Sequence, residues 1–408
     1  MPKHVALVGA DLFSAYHDLA RGLKQVGAAV TGIGFSPRAQ LPAGLRPWLD
    51  QWVQVGNVAD PAALFEAARQ AGRHRTLDRL ETGDENLVLP TAQARERLGL
   101  PGLSARTAHL CRDKPAMKEA LRAAGLPCAE SAAVASLGEL EAFAERAGYP
   151  LVLKPRGGLG GLGTFRAGDS GELLAAARKL GVDRGGSAAV EEFVEGHEGF
   201  YDTVAVDGRP VHEFVAHYYP PVLPALADRR IAPQIAATNR VESDGYGELR
   251  RVGRQVIAAL GIDTAATHME WFFGPKGLKV SEIGARPAGE RIWDLYCVGN
   301  DMDLWREWAM AIVHGRPGAR ASRRLATGSV QVRPDRDGKI AGYEGLREVM
   351  AAIRPYLFQH RLPRPGTLTD PIHKGYLNNV WFRLRHPDYD ALRRLMDFIG
   401  ERLRVRAA

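Results

Sequence analysis

The sequence is poor in cysteine and has no long apolar run, and both absences limit what the chain can be. Its 408 residues include three cysteines, Cys111, Cys128 and Cys297, and none belongs to a C-x-x-C pair. We therefore expect neither a disulfide framework nor a cysteine-based zinc site. No apolar stretch approaches the ~18 residues of a membrane span, and the first residues lead into an apolar strand without a signal-peptide pattern. These features predict a cytoplasmic protein with no membrane partner.

Basic charge is not concentrated in the way that a nucleic-acid surface requires. The net charge is +7, but the arginines are spread along helices and alternate with Asp and Glu. The densest basic tract holds four arginines in residues 316–324. We interpret the excess as a solvated surface that favours small anionic substrates, and we predict no nucleic-acid partner.

Chain length and pattern predict several domains, beginning with a parallel α/β domain. A chain of 408 residues exceeds one ordinary core. Residues 4–33 have the pattern of strand, helix and strand, and the first turn lacks the glycines of a dinucleotide site. A later acidic turn, residues 81–85, follows a short strand, and such a position faces the ligand crevice of an open sheet. For Asp84 and Glu85, an acidic cap on the next helix is an equally good interpretation.

The densest glycine segment of the chain follows an apolar strand that ends in Lys154. Five glycines lie in residues 157–163, here called the glycine flap, and an extended run resumes at Thr164. Successive unobstructed N–H groups beside a lysine form an anion site, and a triphosphate is the expected guest. Residues 158–163 match G-x-G-x-x-G, but strand rather than helix follows, and Thr164 stands where a Walker loop has lysine. A flap between antiparallel strands fits better than a flexible hairpin with an exposed lysine, which stays the alternative.

A predicted β-hairpin over residues 267–283 carries two facing glutamates. His268 and Glu270 share one face of its first strand, and Glu282 lies near Glu270 on the second. Neighbouring carboxylates repel each other unless a cation joins them, and oxygen ligands beside a phosphate site indicate Mg²⁺. Arg286 follows in a loop that can direct its guanidinium at an oxyanion. The alternative is a surface bridge from Glu270 to Lys279 or an arginine.

The rest of the chain predicts further elements around these motifs. Residues 107–124 and 293–313 each have the pattern of a single helix, and residues 218–233 that of an irregular substrate loop. An apolar strand, residues 188–194, carries Glu191 and Glu192, and a buried carboxylate there requires a partner.

In this order and spacing, the motifs resemble the ATP-grasp superfamily across essentially the whole chain, and the C-terminal part resembles the bacterial L-amino-acid ligases that form dipeptides. The resemblance implies an α/β fold whose ATP-binding part is α+β. It implies four regions: an N-terminal parallel α/β domain (1–106), a small lobe with the glycine flap (107–190), a large lobe with the metal and substrate site (191–318) and a small C-terminal α/β module (319–408).

The resemblance also implies a role for each motif residue. ATP would be bound by Lys114, Lys154, Gly158, Gly160, Gly161, Gly163, Glu191, Glu192, Val194 and Glu198. Of these, the lysines would contact phosphates, Glu191 and the Val194 backbone the adenine, and Glu198 the ribose. Glu270 and Glu282 would bind Mg²⁺, with Mn²⁺ as an alternative, while the catalytic residues would be Arg286, Lys154 and His268. One departure is Gly284, where many members have Asn.

The implied activity is ATP-dependent ligation of a carboxylate to an amine. The carboxylate, expected to be an amino acid, takes the γ-phosphoryl group, and an amine then displaces phosphate from the acyl phosphate. The alternatives are a biotin-carboxylase-like or purine-biosynthetic ligase with the same ATP site, or a nucleotide-binding regulator without turnover. The expected partners are ATP and two small substrates, and a homodimer is left open.

Overall fold

A four-stranded parallel sheet opens the chain in the computed structural model, which describes residues 2–158, 161–371 and 380–408. Its strands lie in the order β3-β2-β1-β4, and all three pairings are parallel. The elements of this region are β1 (His4–Val8), α1 (Ser14–Gln25), β2 (Ala29–Gly34), β3 (Gln51–Gln54), α2 (Pro61–Ala71), β4 (Arg79–Glu81) and α3 (Val88–Arg97). The apolar strands are buried by helices, and the predicted parallel α/β opening is confirmed.

A second, antiparallel sheet contains the strands on either side of the glycine flap. Its order is β5-β8-β6-β7, and β6 pairs with β7 through Leu151 and Ala167. Helices α6 and α7 cover it. The elements are α4 (Ala105–Leu110), α5 (Lys114–Ala123), β5 (Ser131–Val134), α6 (Leu137–Ala147), β6 (Leu151–Pro155), β7 (Phe165–Ala167), α7 (Ser170–Lys179) and β8 (Ala188–Glu192). The flap thus joins two antiparallel strands, as the sequence predicts.

The largest sheet has eight strands and supplies the other side of the candidate site. Its order is β13-β12-β9-β10-β11-β14-β17-β16. The elements between residues 197 and 314 are β9 (His197–Val206), β10 (Arg209–Tyr219), α8 (Val222–Ala227), β11 (Gln234–Ala237), α9 (Gly247–Leu260), β12 (Ala265–Gly274), β13 (Gly277–Gly284), α10 (Ile292–Asn300) and α11 (Leu304–His314). Glu270 on β12 lies directly opposite Glu282 on β13, and a bulge follows Glu270. The predicted hairpin and its pair of facing glutamates are therefore present.

The C-terminal elements extend this large sheet. They are β14 (Ala326–Val332), β15 (Ile340–Glu344), α12 (Leu346–Ile353), β16 (Leu357–Arg361), β17 (Val380–His386), α13 (Tyr389–Arg402) and β18 (Arg404–Ala407). Strand β14 pairs with β11 across the predicted boundary at residue 318, while β15 and β18 form a separate two-stranded sheet. The four regional boundaries stay a prediction, since this sheet belongs to two of the predicted regions.

Two helices predicted as continuous are each interrupted, and one predicted irregular loop contains a helix. Residues 107–124 form the end of α4 and all of α5, because the Asp113 side chain accepts from the Ala116 N–H at 3.0 Å and begins a new helix. Residues 293–313 form α10 and α11, because Asp301 adopts φ +52° and Asp303 caps the second helix. Helix α8 lies inside the predicted loop 218–233.

The structure also describes the cysteines and the lengths of the helices. All three cysteines are free. Within the described ranges, no helix combines the length and the apolar character that crossing a bilayer would need.

Candidate functional site

A cleft of about 920 Å³ lies between the antiparallel sheet of β5–β8 and the large sheet. Strands β6 and β8 line one side, and β9, β12 and β13 line the other. Ten of the predicted site residues line it: Lys114, Lys154, Gly158, Gly161, Glu191, Glu192, Val194, Glu198, Glu270 and Glu282. Gly160 lies outside the described residues. Gly163, His268 and Arg286 are not among the lining residues.

The two predicted phosphate-binding lysines converge on one glutamate. Lys114 occupies the first turn of α5, and its Nζ lies 3.2 Å from Glu282 Oε2 and donates to Gly158 O at 2.8 Å. Lys154 ends the apolar part of β6, and its Nζ lies 3.9 Å from the same Glu282 oxygen. Residues far apart in sequence thus place two ammonium groups at one end of the cleft, beside the glycine flap.

Glu191 has a buried partner that the sequence analysis missed. Its Oε2 lies 2.6 Å from Lys118 Nζ and 3.0 Å from Lys154 Nζ. Burial alone would raise the pKa of Glu191, but Lys118 and Lys154 outweigh it and hold that pKa near 2. Its Oε1 is buried and accepts no hydrogen bond within the described part of the chain. Glu191 therefore presents a fixed anionic acceptor to the cleft.

The glutamate pair Glu270 and Glu282 adjoins a third carboxylate, Glu198. Burial, followed by the charge of Glu270, raises the pKa of Glu198 to about 8, and its Oε2 accepts from the Val222 N–H at 2.6 Å. The proposed surface bridge from Glu270 to Lys279 does not form: among described residues the ionic neighbour of Glu270 is His268, at 3.7 Å.

The carboxylates of the site suit a cation whose remaining ligands come from the nucleotide. In the described residues no three His, Cys, Asp or Glu side chains form a group able to hold a metal alone. The two facing carboxylates, Glu270 and Glu282, supply the hard oxygen ligands that Mg²⁺ prefers, and phosphate oxygens and water can supply the remainder.

Arg286 is held by a carboxylate of the N-terminal sheet region. Its Nε donates to Glu85 Oε2 at 2.5 Å, and Arg112 Nη1 donates to Glu85 Oε1 at 2.8 Å. Burial would lower the pKa of Arg286, but the Glu85 charge outweighs it and raises that pKa. In the acidic turn, Glu85 thus pairs with two arginines, whereas Asp84 accepts from the Asn86 N–H beside helix α3.

His268 belongs to a buried hydrogen-bonded chain. Its Nδ1 lies 2.6 Å from Asp202 Oδ1, and the Tyr296 hydroxyl donates to Asp202 Oδ2 at 2.7 Å. Burial would lower the pKa of His268, but Asp202 outweighs it and raises that pKa to about 9. The remaining ring nitrogen, Nε2, faces Glu270. His268 thus links the glutamate pair to the interior of the large sheet.

Part of the cleft lining is apolar and suits a ring. Tyr149, Val152, Val194 and Phe272 line it with aliphatic and aromatic groups. Glu192 is paired with Lys276 and accepts from the Glu130 N–H at 3.1 Å. Its carboxylate is thus engaged by the protein itself.

Four residues near the site were not singled out from the sequence: Lys118, Arg112, Asp202 and Tyr218. Lys118 lies four residues after Lys114, on the same helical face, and this spacing was an available signal. Asp202 interrupts an apolar strand, which indicates a buried partner. The Tyr218 hydroxyl lies 3.5 Å from Glu270 Oε1.

Known proteins similar to this chain include amino acid ligases. The family model described as the ATP binding domain of the carbamoyl-phosphate synthase L chain matches residues 113–197. The chain is 24% identical to the L-arginine-specific L-amino acid ligase of Bacillus subtilis over 74% of this chain and 73% of that protein. It is 25% identical to the alanine–anticapsin ligase of Bacillus subtilis strain 168, over 56% and 55% of the two chains.

Solved structures of the same architecture cover the whole chain. The L-amino acid ligase from Bacillus licheniformis superposes with a TM-score of 0.77 at 20% identity, over 100% of this chain and 99% of that one. The N5-carboxyaminoimidazole ribonucleotide synthetase from Thermotoga maritima gives 0.70 at 19% identity, with both chains fully covered. The chain therefore has the ATP-grasp fold of these structures, and the family model matches its ATP-binding part. In sequence and in fold it is similar to L-amino acid ligases.

Proposed function

We propose that the chain is an ATP-dependent ligase that activates an amino acid as an acyl phosphate and joins it to an amine, releasing ADP and phosphate. The observation that carries the proposal is the convergence of Lys114, Lys154 and the Glu270–Glu282 pair in one cleft, with Arg286 held nearby. Such a set neutralises a triphosphate and a phosphoryl group in transfer, which is most of what this chemistry needs.

The nucleotide would lie along the cleft with its adenine against the apolar part of the lining. The exocyclic amine of adenine is a donor, and Glu191 Oε1 is a buried acceptor without a partner among the described residues. An N–H donor that satisfies this atom removes a penalty of about 1–3 kcal/mol, which favours adenine at this position. Glu198 would then face the ribose, and the lysines the phosphates.

The reaction has two steps whose atoms balance. The substrate carboxylate oxygen attacks the γ-phosphorus, the bond to the β-phosphate oxygen breaks, and ADP leaves. The amine nitrogen then attacks the acyl carbon, the carbon–oxygen bond to phosphate breaks, and the nitrogen loses a proton. Lys154 and Arg286 would hold the oxygens that carry charge in both steps.

A metal would complete the phosphate site. Glu270 and Glu282 would hold Mg²⁺, or Mn²⁺ in its place, and the ion would neutralise charge on the phosphate oxygens. Without nucleotide, Lys114 and Lys154 offset the charge of Glu282. They thereby reduce the repulsion between Glu282 and Glu270.

The decisive experiment intercepts the acyl phosphate. Purified protein is incubated with ATP, Mg²⁺, hydroxylamine and each member of an L-amino-acid panel, and we expect a hydroxamate with equal amounts of ADP and phosphate. Lys154→Ala serves as the inactive control. Release of AMP and pyrophosphate would refute this mechanism, and ADP formation that needs bicarbonate alone would favour the carboxylase-like alternative. Tight ATP binding without turnover would favour the regulator.

A further inference from the structure

We propose that Glu85 is a positioning residue for Arg286, and that residue 284 is glycine because the Glu85 carboxylate occupies the space beside it. The proposal rests on the proposed function in one respect, the role of Arg286 at the phosphoryl group. It concerns a residue of the first sheet region, whereas Arg286 follows the last strand of the hairpin.

Both carboxylate oxygens of Glu85 accept a hydrogen bond from an arginine. Oε2 accepts from Arg286 Nε at 2.5 Å and Oε1 accepts from Arg112 Nη1 at 2.8 Å. Arg286 Nη1 donates to Pro287 O at 2.8 Å, and Nη2 donates to none of the described residues. Two edges of the guanidinium are therefore fixed by the protein, and the third can meet the oxygens of a substrate.

The Glu85 carboxylate lies in the space that a side chain at residue 284 would enter. A Cβ built at residue 284 would lie 3.0 Å from Glu85 Oε2 and 3.5 Å from Oε1, and its three nearest atoms all belong to Glu85. Residue 284 is not in the left-handed region, so glycine is not required there by backbone conformation. A side chain there would instead require the Glu85 carboxylate to shift by a few tenths of an ångström from the position in which it meets Arg286.

The chain's departure from the family pattern thereby gains a physical reason. Many ATP-grasp proteins have Asn at this place, whereas this chain has glycine at 284 and a carboxylate against it.

Arg112 joins the same carboxylate to the start of the glycine flap. Its Nη2 donates to Gly157 O at 2.9 Å while its Nη1 donates to Glu85. Glu85 is thus bonded to one arginine on the phosphoryl side and one on the flap side. Both bonds are charge-assisted, and such bonds are about twice as strong as neutral ones.

The first test reads Arg286 directly and needs no substrate. Phenylglyoxal modifies neutral guanidine groups, and mass spectrometry gives the rate at each arginine. Glu85→Gln should raise the rate at Arg286 several-fold, because the Glu85 charge and hydrogen bond raise the pKa of Arg286, and their loss increases the neutral fraction and frees Nε. Gly284→Ala should raise it as well, since the added methyl group displaces Glu85.

Two controls separate positioning from general loosening. Arg95, which is buried and donates to Leu80 O and Leu103 O, serves as an internal reference whose rate should not change. Glu66→Gln, at an exposed glutamate of α2 paired with Arg69, should leave the Arg286 rate at the wild-type value.

A double variant decides whether Glu85 and Gly284 act through one contact. If they do, Glu85→Gln/Gly284→Ala should resemble the single Glu85 variant, because the methyl group no longer has a contact to break. Rates that multiply in the double variant would overturn the proposal, as would a wild-type Arg286 rate in Glu85→Gln. A rise at Arg95 equal to that at Arg286 would also overturn it, since it would indicate loosening of the fold.

Turnover supplies an independent readout. With the amino acid identified by the hydroxamate assay, Glu85→Gln should lower kcat while the KM for ATP stays within about twofold, as expected for loss of an interaction made in the transition state. A raised KM for ATP at unchanged kcat would contradict the assignment. If no acid supports turnover, the proposed function fails, but the labelling result still decides the role of Glu85.

Discussion

Buried lysines at the base of the cleft determine how single substitutions will act. Lys118 is fully buried and its ammonium group lies against Glu191. Burial lowers the pKa of Lys118, and the Glu191 charge opposes that effect. Removing one member of such a pair leaves the other charge buried with fewer partners, which costs more than the pair itself contributes.

Lys118→Met is expected to weaken both stability and nucleotide binding. The free energy of unfolding should fall by about 3 kcal/mol, the lower end for breaking a buried pair, because Lys154 remains beside Glu191. The KM for ATP should rise more than kcat falls, since Glu191 would lose its fixed position. Urea unfolding and titration with ATP measure the two effects.

The matched variant Lys118→Met/Glu191→Leu checks the cause. Removing both charges should restore much of the stability and leave ATP binding impaired. If Lys118→Met unfolds at the wild-type urea concentration, the Lys118–Glu191 pair does not stabilise the fold.

At the scale of single residues, the sequence predicts a functional role only where the residue type and its spacing from other motif residues indicate one. Lys154, Glu270 and Glu282 could be found because strand alternation and a turn place them together. Asp202 and Glu85 could not be assigned, because their partners are 66 and 201 residues away in the chain. The first pairing depends on which strands are neighbours in the large sheet, and the second on how that sheet meets the first sheet region. No local pattern specifies either.

At the scale of elements, helix boundaries were the least predictable feature. The end of α4 and the start of α5 both carry helix-forming residues, so that hydrophobic spacing continues through the break. The signal was the cap, Asp113, followed by Pro115 at an early helical position. The sheets were predictable in type because β-branched and aliphatic runs and glycine turns mark them directly.

Two neighbouring histidines of the large sheet, His197 and His217, predict a pH dependence of stability. His217 Nδ1 lies 2.9 Å from His197 Nε2, and its Nε2 lies 2.7 Å from the Tyr246 hydroxyl. Burial lowers the pKa of His217 to about 3, with smaller contributions from His197 and Arg393. The ring packs against Tyr389 of α13 as well, and is thus enclosed between the sheet and two helices.

The sign of the effect follows from the lowered pKa. An unfolded histidine has a pKa near 6.5, so that the unfolded chain binds more protons between about pH 3 and 6.5. The stability from neutral His217 is therefore complete above about pH 6.5 and lost as the pH falls. Between pH 6.5 and 5 the wild type should lose about 2 kcal/mol more than His217→Gln.

Urea unfolding at several pH values measures this difference. His74→Gln, at an exposed histidine of the first region, is the control and should follow the wild type. Parallel loss of stability in the wild type and His217→Gln would contradict the prediction.

At the scale of the whole molecule, one sheet joins the predicted large lobe and C-terminal module. Strand β11 pairs with β14, and Ala236 packs in the same core as Val330 and Phe382. Arg383 of β17 also donates to Asp294 at 3.0 Å, near the loop that holds Arg286. The separate C-terminal module was implied by the family resemblance, and strand pairing between distant segments leaves no local trace in a sequence.

The cleft described above is lined by one more glutamate than cationic side chains, and this near balance has a kinetic consequence. Among the described residues, five cations and six glutamates line it: Lys114, Lys118, Lys154, Arg166, Lys276, Glu191, Glu192, Glu195, Glu198, Glu270 and Glu282. With the pKa of Glu198 raised to about 8, that carboxyl is mostly protonated at pH 7 and the lining has no net charge. Although the chain as a whole has a net charge of +7, the mouth of the cleft exerts little long-range pull on an anion.

Nucleotide should therefore arrive by diffusion without electrostatic steering. Stopped-flow measurements with a fluorescent ATP analogue and Mg²⁺ should give an association rate constant that changes less than about threefold between low and high salt, whereas steered encounters slow steeply. A tenfold fall would mean that the surface cations reach the entering nucleotide. In this molecule, the lysines proposed to bind the triphosphate are already paired with Glu191 and Glu282. They can attract the nucleotide strongly only once it has entered the cleft and displaced those contacts.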